Sequence, residues 1–288
     1  MANLQDIRRH IKSVKSIGQI TNAMNMVATS RLRHAKEAAQ SNKPYADKVA
    51  EVVNEIATNA GADFSHPLLM KYESGKKLIL VLAADKGLAG AYSSNVFKET
   101  AANVENKADT VLVTVGRKAK DHFKHRGYDI LRDYTGISER PRYEHAKEIA
   151  EDLIERFRSG EIKEIYMVYT RFVSAISCVP ETVKLLPFES KENNEGEEKG
   201  GLHAEYIYEP SAEEVLGFLL PQYLVTVIYA ALLQSAASEL SSRMNAMSSA
   251  TDNAAELVAK LDLYYNKVRQ ASITGEITEI VGGAEALK

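Results

Sequence analysis

The residues best placed to do chemistry lie in ADKGLAGAYSSN (84–95), directly after the apolar run KLILVLAA (77–84). Glycines between a strand and a helix can cradle phosphate, because a helix N-terminus offers unpaired N–H groups. Here Gly87 and Gly90 do not make G-x-G-x-x-G, and G-x-x-x-x-G-K-[ST] is absent. Tight turn geometry accounts for these glycines as well as a nucleotide would. His122 and His125 stand three apart on a helical pattern, with no carboxylate or histidine beside them at ligand spacing. The carboxylate pairs Glu213/Glu214 and Glu276/Glu279 sit on polar helix faces, where solvation is the ordinary state. The single cysteine, Cys178, excludes an intrachain disulfide and a cysteine-based zinc site, and it lies in an apolar run as a small buried thiol would. No catalytic, cofactor-binding or metal-binding centre belonging to this chain follows from these spacings.

Charge is the remaining chemical signal. The chain carries a net charge of −3, which gives no global polyanion-binding signature. Yet residues 1–43 hold Arg8, Arg9, Lys12, Lys15, Arg31, Arg33, Lys36 and Lys43 against only Asp6 and Glu37. A solvated face is one explanation. Nucleic-acid binding is another, but aromatic residues are absent before Tyr45 and no binding module is present. The third is an acidic surface on a protein partner.

Two long helical patterns must position this charge. Leu4, Ile7, Ile11, Val14, Ile17, Ile20, Met24 and Val27 recur three and four apart, which predicts a helix with one narrow apolar stripe. The helical pattern continues to Ile56, with Pro44 expected to kink it or mark a junction. At the other end, no glycine or proline occurs between Gln222 and Thr274. That stretch alone allows a helix on the order of 80 Å. Leu240, Met244, Met247, Thr251, Ala254, Val258, Leu261, Tyr265 and Val268 form a heptad-like seam along it. Serine and alanine dominate residues 230–255, so a second helix can approach closely.

Between the two, the character changes. Residues 58–76 have glycines, a proline and no period, and read as a linker. KLILVLAA (77–84), DTVLVTV (109–115) and EIYMVYTRF (164–172) have strand length, and Ser174–Pro187 reads as a further strand beside the third. Helical patterns intervene near 93–106, 117–125 and 143–158. Strands alternating with helices predict an α/β unit with a mainly parallel sheet. ESKENNEGEEKGG (189–201) reads as a solvated loop. The expected architecture is a long antiparallel coiled coil of the N- and C-terminal helices with an inserted Rossmann-like α/β domain, an α+α/β chain. Its divisions fall at 1–57, 77–208 and 209–288. No run reaches the ~18 apolar residues of a membrane span. The basic amphipathic N-terminus runs into the next helical pattern instead of resembling a removable leader. Both points fit a cytoplasmic protein.

Several segments resemble one family. ITNAMNMVATSRLRHAK (20–36), AADKGLAGAYSSN (83–95), VGRKAKDHF (115–123), SSRMNAMSSATDNA (241–254) and LDLYYNKVRQASITGEITEIVGGAEAL (261–287) are similar to the gamma subunit of the bacterial F-type ATP synthase. The last segment is the most specific. The loop departs from the family's Ser-Asp-Arg-Gly-Leu-Cys-Gly-like pattern at Ala84, Lys86 and Ala89, which weakens any redox or metal role for it.

The resemblance implies a non-catalytic rotor shaft inside a hexamer of alternating alpha and beta subunits, which hold the Mg-ATP and Mg-ADP. It also implies contact with an epsilon subunit and a membrane ring of c subunits. The chain would then sit peripherally on the cytoplasmic face of the bacterial plasma membrane, with no nucleic-acid partner. Carried over residue by residue, Met24 and Arg243 resemble shaft positions facing beta-subunit loops. Arg269, Gln270 and Thr274 resemble the polar contacts that hold the upper shaft to a beta subunit. Tyr206 resembles part of the surface that meets the c ring. Two other functions remain open on the residues alone. One is a coiled-coil adaptor that never rotates; the other is a nucleotide-binding enzyme using the α/β domain.

Overall fold

A computed structural model of the chain describes residues 4–59, 66–188 and 211–287. The elements in order are α1 (Leu4–Asn59), β1 (Lys76–Leu82), α2 (Tyr92–Ala102), β2 (Thr110–Val115) and α3 (Arg117–His125), then β3 (Asp129–Tyr134), α4 (Tyr143–Arg158), β4 (Ile162–Phe172), β5 (Cys178–Leu186) and α5 (Ala212–Ala286). They form two compact units, Met1–Thr29 with Arg243–Lys288, and Ser30–Ser242. The solvated loop expected at 189–201, Tyr206, and the division expected at 208/209 lie outside the described residues.

The larger unit is an α/β domain. Its five strands are ordered β3-β2-β1-β4-β5. β1 pairs parallel with β2 and β4, β2 pairs parallel with β3, and β5 runs antiparallel to β4. The three apolar runs and the adjoining fourth strand are therefore strands as expected. β3 was not expected: its sequence DILRDY mixes charge with apolar residues and its side chains are mostly part-exposed. An edge strand needs only one covered face, so it lacks the continuous apolar run of β1 and β2.

Alternate side chains of the strands point to opposite faces, and each face is covered. Ile79 and Val81 of β1 meet Val96 of α2 and Ala119 and Phe123 of α3. Leu78, Leu80 and Leu82 belong to a larger core with Ile149, Leu153 and Phe157 of α4, Val53 and Ile56 of α1, and Leu216, Leu220, Leu224 and Ile228 of α5. Thus the long helices are rooted in the domain core. This explains an apolar signal in α5: an 18-residue window there has mean hydropathy 1.9, the length and composition of a membrane span. Leu216, Leu220, Leu224, Val225 and Ile228 instead serve as core side chains.

Pro44 lies inside α1, which continues to Asn59 without ending at a junction. An interior proline removes one helical hydrogen bond and costs about 3 kcal/mol. Burial of Val53 and Ile56 beyond it offsets that loss. Pro221 is likewise accommodated inside α5.

The smaller unit is an antiparallel helix pair. Arg8 donates to the Tyr265 hydroxyl at 2.5 Å, the Thr21 and Thr251 hydroxyls lie 2.8 Å apart, and Asn25 donates to the Met244 carbonyl at 2.9 Å. As α1 advances, its α5 partners recede. The seam read on α5 holds: Met247 and Ala254 are buried, and Met244, Thr251, Val258, Leu261, Tyr265 and Val268 are half-buried. The stripe read on α1 is half corrected. Ile7, Ile11 and Val14 are buried, but Ile17, Ile20 and Val27 are exposed. The covered line passes instead through Gly18, Thr21, Asn25 and Ala28. From Ile7 to Ala28 this line alternates four and three, the coiled-coil period. A stripe of the most apolar residues takes steps of three at Val14, Ile17 and Ile20, and drifts off the seam.

Candidate functional site

The described residues contain two places where function could reside: the crevice of the α/β sheet and the surface of the helix pair.

In an open α/β sheet, ligands bind beyond the carboxyl ends of the strands where the strand order reverses. The order β3-β2-β1-β4-β5 puts that point between β1 and β4. The chain's own groups occupy it. Thr170 at the end of β4 donates its N–H to Ser235 of α5 at 3.5 Å, and its carbonyl accepts from Ser238 at 3.2 Å. Tyr92, the first residue of α2, is 4% exposed beneath the glycine loop. Burial, with the nearby charge of Glu239, pushes its phenol well above the ordinary value, while hydrogen bonds to Ser235 and Thr170 oppose the shift.

The N-terminus of α3, the second natural place for an anion, holds the Asp85 carboxylate. Its Oδ1 accepts the Arg117 N–H at 3.1 Å and its Oδ2 the Ser138 N–H at 3.1 Å; the Ser138 hydroxyl accepts the Asp85 N–H at 3.1 Å. Burial raises the carboxyl pKa, but N–H groups of Gly136, Ser138 and Arg117 outweigh it and hold the value below the ordinary range. Gly116 makes the close approach possible. It has φ +93°, and a Cβ there would lie 2.2 Å from the Ala83 carbonyl oxygen. Leu88 at φ 63° and Gly90 at φ 55° shape the preceding loop. The glycines singled out in the sequence therefore serve turns that the chain fills itself.

The histidines do not converge. His122 stacks on Phe97 with centroids 4.0 Å apart, and its Nδ1 meets Arg126 at 2.9 Å. Burial and then the Arg126 charge lower its pKa. His125 bonds the Asp121 carbonyl oxygen at 2.6 Å. Among the described residues, no group of three or more His, Cys, Asp or Glu could hold a metal. Cys178 is half-buried instead of fully buried. Burial raises its thiol pKa, against hydrogen bonds from Ser238 and Ser241, so at neutral pH it is a thiol and a weak nucleophile.

On the helix pair the predicted contact residues separate into three kinds. Arg269, Gln270 and Thr274 are exposed. They lie past Tyr265 and Val268, beyond the last described contact with α1, that of Arg8 with Tyr265. Every described side chain from Arg269 to Leu287 is exposed. Ile273, Ile277, Ile280 and Val281 stand among them, spaced as one helix face. Met24 is half-buried beside the seam. Arg243 is the most covered of the set, at 6% exposed. Its long aliphatic stem suits it to burial, and sequence spacing carries no sign of that. Tyr206 lies outside the described residues.

The basic face of α1 is partly spoken for. Arg31 pairs with Glu139 at 2.5 Å, a carboxylate that also meets Lys86 at 3.2 Å. Arg9 pairs with Asp6 at 2.7 Å and Arg33 with Glu37 at 3.1 Å. Lys12, Lys15 and Lys36 are exposed. The Glu139 clasp, which joins α1 to the loop after β3, went unseen in the sequence. A single acid in a turn carries no periodic signal.

Comparison with known proteins agrees in extent and kind. The profile of the family described as ATP synthase matches residues 3–287. The chain is 45% identical over 288 residues to the ATP synthase gamma chain of Desulforamulus reducens, covering 100% of both. It is 46% identical over 289 residues to that of Pelotomaculum thermopropionicum, again covering 100% of both. Its fold matches a chain in the Euglena gracilis mitochondrial ATP synthase OSCP/F1/c-ring structure, with TM-score 0.67 at 18% identity, covering 99% of this chain and 94% of that one.

Proposed function

On the premise that the chain belongs to the family of ATP synthase gamma chains, the central-stalk subunits of that enzyme, we propose that it transmits torque between a membrane ring of c subunits and a catalytic hexamer of alpha and beta subunits. Ion flow, of protons in this reading, turns the ring and so the stalk; ATP hydrolysis in the hexamer drives the reverse. The chain itself is not catalytic. Mg-ATP and Mg-ADP bind in the partner subunits, and epsilon joins the α/β domain. The assembly places this chain peripherally on the cytoplasmic face of the bacterial plasma membrane.

One observation carries the reading: α5 continues beyond its last described contact with α1 and exposes every described side chain from Arg269 to Leu287, with apolar residues among them. A lone apolar-faced helix end requires a surrounding surface. Arg269, Gln270 and Thr274 stand at its base, where an arginine can make a bidentate pair with a beta-subunit carboxylate. Lys12, Lys15 and Met24 lie lower on the helix pair as further contact positions. Charge attraction tolerates changes of geometry, which suits a contact that is remade at each of three beta subunits.

Tagged chain, extracted with mild detergent from its own membranes, should co-purify with alpha and beta subunits at one copy per three beta. Recovery without the hexamer would sink the proposal. In inverted vesicles, Arg269→Glu should lower ATP-driven acidification about tenfold, the loss of one charge-assisted contact. Acidification at the wild-type rate would remove Arg269 from the contact set.

A further inference from the structure

A rotor made of a sheet domain and a helix rooted in it has a mechanical weak point where the two join. Apolar packing resists separation, but it is non-directional. A helix held by packing alone can turn or slide by a residue while keeping most of its burial. Directional bonds to fixed backbone groups prevent this.

Such bonds are present on one face of α5. The Phe172 N–H donates to Gln234 Oε1 at 3.2 Å. The Thr170 N–H meets the Ser235 hydroxyl at 3.5 Å, and the Ser238 hydroxyl donates to the Thr170 carbonyl at 3.2 Å. The Ser241 hydroxyl donates to the Ala175 carbonyl at 2.6 Å. Residues 234, 238 and 241 recur at four and three, so they follow one line along the helix. Their partners, Phe172, Thr170 and Ala175, lie together at the end of β4 and in the turn beyond it.

The topology explains why these backbone groups are available. β1 pairs with β4 only as far as Val81↔Val168, whereas β4 continues to Phe172. Past Val168 the β1 side of β4 has no strand, and its N–H and C=O groups need other partners. Side chains of α5 supply them in the crevice between β1 and β4.

We infer that Gln234, Ser235, Ser238 and Ser241 form a rotational lock between α5 and the end of β4, and that these positioning residues carry torque from the sheet domain into the long helix. The inference rests on the rotor reading for its purpose, but the lock itself is testable without it. Turning α5 by one residue, about 100°, breaks all four bonds and strands the buried N–H and C=O of Thr170. Losing even one partner of a buried pair raises the population of slipped states about tenfold.

Gln234 is only half-buried, so it tolerates substitution. Gln234→Glu keeps the acceptor for Phe172; Gln234→Leu keeps the bulk and removes it. In the full isolated chain, hydrogen exchange at the Phe172 amide should accelerate about tenfold in Gln234→Leu and stay at the wild-type rate in Gln234→Glu. An unchanged rate in Gln234→Leu would overturn the lock. In the assembled enzyme, with the hexamer fixed and a bead on the ring, the torsional stiffness of the rotor should fall in Gln234→Leu and in the Ser238→Ala/Ser241→Ala double variant. It should not fall in Leu224→Ala, which removes packing from the same helix. Equal softening by Leu224→Ala would assign the stiffness to packing and overturn the torque role. A wild-type ring that never turns would overturn the rotor reading, leaving the exchange result to judge the lock.

Discussion

The same two helices pack in two different ways. Near the sheet, α1 contributes Val53 and Ile56, and α5 contributes Leu220, Leu224 and Ile228, to one continuous apolar core. In the helix pair, the facing residues are Gly18, Thr21 and Asn25 against Ala254, Thr251 and Met244. A Cβ on Gly18 would sit 3.4 Å from the Ala254 Cβ. The α/β unit gains stability by filling volume. The helix pair gains it from close approach and a few polar bonds, and it stays slim in return. A slender element that must turn inside a ring needs small cross-section more than it needs a large core.

The sharpest way to break this comparison is one substitution made in both places. Gly116→Ala should destabilise the α/β unit by about 4 kcal/mol, since φ +93° strains any side chain and the added carbon would meet the Ala83 carbonyl at 2.2 Å. Thermal unfolding followed by circular dichroism would check it, and a shift of under a degree would refute the close-approach argument. Next in size, Asp85→Ala should cost about 2 kcal/mol by removing the charged acceptor from the Arg117 and Ser138 N–H groups. The sign with pH follows from its lowered pKa. The carboxylate's contribution is fully present above the unfolded pKa of about 3.9. It is lost as pH falls through the lower folded value. Wild type and Asp85→Ala should therefore converge in stability at strongly acid pH and diverge above about pH 4; a constant gap in chemical denaturation would contradict the assignment. The smallest effect is Gly18→Ala. Here the new carbon makes only ordinary contact, and alanine favours helix over glycine by up to about 1 kcal/mol. The variant should be neutral or slightly stabilised. Marked destabilisation would show that the helix pair is packed as tightly as the sheet domain.

The sequence announced some of these features and concealed others for physical reasons. The α5 seam was legible because its partner is another helix, so period alone defines it. β1, β2 and β4 were legible because strands covered on both faces are continuously apolar. β3 was not, since an edge strand can carry Arg132 and Asp133. The α1 stripe misled at Ile17 and Ile20, because the true line runs through glycine and threonine, which no hydropathy argument selects. Among contact residues, the exposure of Arg269, Gln270 and Thr274 could be expected from a motif near a helix end. The burial of Arg243 could not, because an arginine reads as surface until its neighbours are known. Nor did the glycine loop reveal that its crevice is closed by a helix more than a hundred residues later.

The contact between Arg8 and Tyr265 spans 257 positions of sequence. So wide a separation makes the helix pair a late event in folding, since long loops must close before such contacts form. The α5 half of the pair follows all five sheet strands in the chain, so it is made after them. A prematurely terminated chain would therefore retain its sheet strands but present α1 with its seam uncovered. The apolar Ile7, Ile11 and Val14 would then be open to chaperones and proteases. The seam near the start of α1 is thus covered only once the distant α5 has been made.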